Sequence, residues 1–169
     1  MKRTILILVV MTCISMKICG QIIYVGDKKY QSTPTWNFTM NGENWDSNLE
    51  VLIAKTDFGG YLWLALTFPQ GVDSHIGGNL TIFLNDETTI NCIDRNIRDQ
   101  VDNKSITLYK LTNSEIEILK SKRIITLRFQ VLGFPWNGKR TADNVKSSIF
   151  SKGENTYATE DDIKALFDK

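Results

Sequence analysis

Histidine and cysteine are scarce in this chain, and their scarcity excludes much chemistry. One histidine, His75, and three cysteines, Cys13, Cys19 and Cys92, offer no His/Cys cluster from which a zinc site could be built. Three prolines and eleven glycines in 169 residues, scattered without a tract, leave no proline-rich spacer and no Gly/Ser linker. No internal repeat recurs, which argues against a solenoid or a propeller. Basic and acidic residues nearly cancel, 20 against 19, and no long run of one sign occurs. That balance removes the electrostatic basis for holding nucleic acid or an anionic membrane. Neither a glycine-rich phosphate loop nor a G-x-S-x-G nucleophile motif is present.

What the chain does have begins at its start. Lys2 and Arg3 precede the apolar stretch 5–14 (ILILVVMTCI), and Ser15 to Gly20 follow. A basic start, a short apolar stretch and a small residue before Gln21 predict a secretory signal peptide over residues 1–20. The apolar stretch is ten residues, where a membrane-crossing helix needs about 20. Cysteine lipidation is disfavoured, because Met16-Lys17-Ile18 before Cys19 and Val10-Met11-Thr12 before Cys13 lack the small residue such signals place there. Removing the first 20 of 169 residues leaves 149, the usual size of one domain and enough to fold without disulfide or metal. Lys2, Arg3 and Lys17 leave with the leader, so the mature balance is slightly acidic. Cys92 is then alone, which excludes an intramolecular disulfide.

Over the remainder, apolar residues recur mostly at every second position, the period of strands. Residues 22–25 and 29–31 flank Gly26-Asp27 as a hairpin, and 49–56 and 61–68 flank a turn at Phe58-Gly59-Gly60. A loop through Pro69, Gly71, Gly77 and Gly78 precedes strands 79–84 and 88–93, and a polar connection, 94–104, leads to strand 105–110. Thr112-Asn113-Ser114-Glu115 has the form of a capping box opening a short helix, with Ile116 and Leu119 as its buried stripe. In strand 124–132, Ile125, Leu127, Phe129 and Val131 share one face. Residues 133–138 (GFPWNG) read as a rigid aromatic turn, and TEDDIKALFDK as a terminal helix capped by Thr159. The pattern predicts an α+β fold: an antiparallel, strand-rich sheet or sandwich with one short internal helix and a C-terminal helix, in a single domain over 21–169. The hairpin 49–68 is apolar on both faces, and the terminal helix is the expected cover of its second face.

Candidate sites are few. Phe134, Trp136, Trp36 and Trp45 fall in or beside expected loops with Asn37, Asn41, Asn44 and Asn137 nearby, a set able to stack on and hydrogen-bond a partner or a sugar. The competing and preferred reading of the tryptophans is that they plug the ends of the sheet. Phe134-Pro135-Trp136 is the best single candidate. Cys92 and His75 could in outline form a nucleophile and base, but Cys92 alternates within a strand, where a thiol is usually a small core residue. Asp94, Asp99 and Asp102, with Asn96 and Asn103, could gather oxygen ligands for calcium; their spacing departs from the calcium-loop pattern, and Arg95 and Arg98 point to a salt-bridged loop. No acid pair stands out for glycoside hydrolysis among 19 acids. Asn37, Asn79 and Asn103 open acceptor triplets for N-glycosylation, with Asn79 disfavoured because its strand reads as buried.

The leader followed by Gln21 resembles those of small exported proteins of Gram-negative bacteria. Leu66-Thr67-Phe68-Pro69-Gln70-Gly71, then Gly78-Asn79-Leu80-Thr81-Ile82 and Cys92, resemble the invasion-associated locus B family of secreted β-proteins. That pattern implies further cysteines, which this chain lacks, and no functional residue is carried across. The expectation is an exported, periplasmic or secreted, non-enzymatic binding module whose partner is a protein or a cell-envelope glycan. It needs no cofactor, binds no nucleic acid, and acts through loop aromatics. The alternative is a small secreted hydrolase or calcium-dependent carbohydrate binder using acids in 94–102.

Overall fold

Residues 21–42, 48–146 and 156–168 are described by the structure, a computed structural model. The leader expected over 1–20, with Cys13 and Cys19, lies outside the described residues, as do Asn44 and Trp45. The chain runs β1 (Ile22–Val25), β2 (Lys28–Gln31), β3 (Trp36–Met40), β4 (Leu49–Thr56), β5 (Gly59–Thr67), β6 (Asp73–Leu84), β7 (Thr89–Cys92), β8 (Ile97–Val101), β9 (Lys104–Thr112), α1 (Asn113–Leu119), β10 (Ile124–Phe134), β11 (Gly138–Asp143) and α2 (Thr159–Phe167). Among the described residues, nine strands form one antiparallel sheet in the order β7-β6-β10-β11-β3-β4-β5-β9-β8. The fold is α+β, strand-rich, with one short internal helix and one C-terminal helix.

The sheet is rolled. Although β6 and β9 share no backbone ladder, side chains of β8, β9 and the segment just before β8 satisfy the outward backbone groups of β6. Ser105 Oγ accepts from the Ile76 amide at 3.1 Å, Thr107 Oγ1 donates to the Ile76 carbonyl at 2.8 Å, and Arg98 Nε donates to the same carbonyl at 3.0 Å. Tyr109 Oη donates to the Gly78 carbonyl at 2.9 Å, and Asp94 Oδ2 accepts from the Gly78 amide at 2.8 Å. β6 bulges here, its register against β10 slipping between Arg128 and Gln130. Gly78 accommodates the bulge with φ +68, a conformation glycine adopts without a side-chain clash. Inside the roll, Trp36, Phe38, Leu49, Val51, Leu64, Leu80, Phe129 and their neighbours form the main core, and Ile163 of α2 inserts into it.

Several local readings change. Ile125 is exposed and Ile124 buried, because a second register slip between Ile124 and Thr126 exchanges the two faces at the start of β10. Thr159 is not the cap of α2. That position belongs to Ala158, while the buried Thr159 Oγ1 accepts from the Ile124 amide at 3.0 Å and ties helix to sheet. α2 therefore closes the helix-side end of the roll rather than covering the second face of the β4–β5 hairpin. That cover is the β1–β2 hairpin, whose Ile23, Val25 and Tyr30 pack on Ala54, Tyr61 and Leu108. Thr112 does cap α1: its hydroxyl accepts from the Glu115 amide at 3.3 Å, and Glu115 Oε2 accepts from the Thr112 amide at 2.7 Å.

Candidate functional site

The strands define two ends. β5 and β10 start beside α1 and α2 and run away from them, so Thr67, Phe134 and the starts of β6, β9 and β11 gather at the far end. There Phe134 closes β10 opposite Asp73 of β6. The two strands approach closely: a Cβ on Gly133 (φ +103) would stand 2.1 Å from the Asp73 carbonyl oxygen, so only glycine fits. Ser74 Oγ donates to the Phe134 carbonyl at 3.3 Å, and the Phe134–Pro135 peptide is cis. The ring projects from this framework 87% exposed, the most exposed large apolar side chain among the described residues.

On one side of the turn lies a cleft of about 650 Å³ between the β5–β6 loop and the β8–β9 turn, lined by Gln70, Val72, Asp73, Gln100, Asp102 and Asn103. Its polar groups are two carboxylates and three amides, with no cation. Asn103 Nδ2 donates to the Phe68 carbonyl at 2.7 Å, which fixes the β8–β9 turn against the end of β5. Phe134 does not line this cleft itself but is paired with Asp73, which does, and the two share one sheet face because residues paired directly across two strands point the same way. On the other side of the turn is a smaller cleft of about 350 Å³, where Arg128, Lys139 and Arg140 surround Trp136. Trp136 is half-buried and packs on the main core, and Arg140 Nη2 donates to its carbonyl at 3.0 Å.

The remaining sequence candidates separate. Trp36 is 1% exposed on β3, and its Nε1 donates to Asp162 Oδ2 of α2 at 2.9 Å. It is a core residue, as the plugging reading of the tryptophans has it, and it lies in strand β3 rather than in a loop, so it is no surface anchor. Trp45 lies outside the described residues. His75 sits within β6 opposite Leu132 rather than in a loop. Cys92 pairs with Leu80, and burial first, then the Glu115 carboxylate, push its thiol up to about 12. A thiol so reluctant to ionise is a poor nucleophile. Asp94 is held by Arg98 and by the amides of Gly78 and Asn96, Asp99 lies on β8, and only Asp102 of the three borders the large cleft. Among the described residues, no group of three His, Cys, Asp or Glu side chains is close enough to hold a metal ion. Asn79 is exposed rather than buried, and its Oδ1 accepts from the Asp94 amide at 3.1 Å.

The sequence pointed to the turn but not to the clefts. β6 starts at Asp73 rather than at residue 79, and β8 lies within the polar connection 94–104, and these two differences set Asp73 beside Phe134 and Gln100 across from Gln70. The signal available was Asp73-Ser74-His75-Ile76, where outward and inward residues alternate ahead of the two glycines. No helix among the described residues is long and apolar enough to cross a membrane. Compared with protein-family models, with curated proteins and with solved structures, the chain matches none.

Proposed function

We propose that this chain is an exported recognition module that holds a protein or cell-envelope partner at the end of the rolled sheet remote from its helices, with Phe134 as the anchor. The observation that carries the reading is the exposure of Phe134 on a backbone fixed by β6 and by the close approach at Gly133. An aromatic side chain carried on a fixed backbone has only two side-chain torsions to lose when covered, a small cost for a binding anchor. Trp136 supports the turn from beneath. Export rests on the leader read in residues 1–20.

The test uses the exported chain and its Phe134→Ala variant to recover a partner from cell-envelope extract. The partner is then identified and titrated against both. Phe134→Ala should weaken binding by about 2 kcal/mol or more, as loss of an interface anchor does. Because the ring buries almost nothing in the free chain, the melting temperature should stay unchanged. Equal affinity of the two proteins for the recovered partner removes this site.

A further inference from the structure

The large cleft beside Phe134 has a composition that selects a ligand class. Its volume, about 650 Å³, lies within the range of small-molecule sites. Gln70 and Gln100 each carry a side-chain donor and an acceptor, Asn103 keeps its amide oxygen and a second N–H beside the one given to the Phe68 carbonyl, and Asp73 and Asp102 only accept when ionised. A ligand rich in hydroxyls, each both donor and acceptor, can satisfy such a set. A ligand rich in carboxylates or sulfates cannot, because it would meet Asp73 and Asp102 without a compensating cation in the lining. The third element is the aromatic face. Phe134 lies opposite Asp73 in register, and residues so paired have Cβ atoms about 4.5–5.5 Å apart. One ligand can therefore cover the ring and reach the Asp73 carboxylate together. An aromatic face flanked by acids and amides fits the two surfaces of a pyranose, its apolar C–H side and its hydroxyl edge.

We infer that the cleft between the β5–β6 loop and the β8–β9 turn binds a neutral oligosaccharide, one ring of which lies against Phe134 while its hydroxyls bond Asp73, Asp102 and the neighbouring amides. This inference rests on the reading of Phe134 as an anchor and narrows its partner to an uncharged glycan. Asp102 sits at φ +55 in the turn, a conformation that asparagine and aspartate tolerate better than most residues, so its carboxylate can be removed by Asp102→Asn without straining the backbone.

The experiment is calorimetric titration of the chain with maltotriose, cellotriose, mannotriose and chitotriose, with trigalacturonate as the anionic control, each with and without EDTA. At least one neutral trisaccharide should bind, with EDTA making no difference and trigalacturonate binding more weakly than that sugar. Phe134→Ala should weaken it about tenfold or more, the scale of a lost binding anchor. Asp73→Asn and Asp102→Asn should each weaken it several-fold with melting temperatures unchanged. Failure of every neutral trisaccharide to bind overturns the inference, as does a preference for trigalacturonate. Binding abolished by EDTA assigns the cleft to a cation instead and also overturns it, as does a sugar that binds equally well to Phe134→Ala and Asp102→Asn. If no sugar binds but a protein partner is lost on Phe134→Ala, the recognition surface stands and only the glycan assignment falls. If Phe134→Ala affects neither, both fall.

Discussion

Cys92 and Phe134 show how a residue's surroundings decide its chemistry. Cys92 faces inward from β7, and desolvation disfavours its thiolate. Thiol-reactive reagents should therefore label the native chain slowly and the unfolded chain at once; fast native labelling would contradict an inward-facing Cys92 on β7. Tyr109 and Tyr61 shift in the same direction, chiefly through burial. A thiol raised from 9.0 to about 12 contributes stability that is whole below pH 9 and is lost as pH climbs towards 12. Cys92→Ala should flatten part of that alkaline decline in a chemical-denaturation series, and an unchanged pH profile would contradict the burial.

At the scale of elements, capping and covering do different work. α1 has only seven residues, too few to persist by propensity alone, so its start is secured locally by the Thr112–Glu115 box. Thr112→Ala should cost about 1 kcal/mol in denaturant unfolding, and a value near zero would mean the tertiary contacts of Ile116 and Leu119 hold the helix without its cap. The start of α2 is secured differently. Thr159 Oγ1 accepts from the sheet, and Arg123 binds Glu160 through two nitrogens, Nη2 at 2.7 Å and Nε at 2.9 Å. Sequence spacing alone made Thr159 look like a cap, because a cap and a tertiary anchor use the same hydroxyl.

For the whole molecule, the seam between β6 and β9 decides whether the sheet is open or rolled. Ile76 offers both an amide and a carbonyl to this seam, and they are answered unequally. The carbonyl has two donors, Thr107 Oγ1 and Arg98 Nε, whereas the amide has Ser105 Oγ. Ser105→Ala should leave that buried amide unsatisfied and cost about 1–3 kcal/mol, and Thr107→Val should cost less because Arg98 still donates. The reverse order in equilibrium unfolding would show that the seam is not closed by these bonds. The β5–β9 ladder, with Thr67 opposite Lys104, sets the β5–β6 loop beside the β8–β9 turn, and rolling adds Asp73 from the start of β6 to the same cleft.

By itself the sequence determined the strand-rich α+β class, the short capped helix, the terminal helix and the prominence of Phe134-Pro135-Trp136. Each is written in neighbouring residues: alternation at every second position, a Thr-x-x-Glu box, an acidic first helical turn, and a proline between aromatics. Only the tertiary structure decided that Trp36 is core and Phe134 is surface, that β1–β2 rather than α2 covers the outer face of β4–β5, and that Asp73, Gln100 and Asp102 line one cleft. The physical reason is that a period of two shows that a strand has two faces without saying what covers either. Bulges such as those at Gly78 and Ile124 then exchange faces without changing composition. Partners far apart in sequence, such as Phe134 and Asp73, meet through register and sheet curvature, which are set by the packing of the whole core.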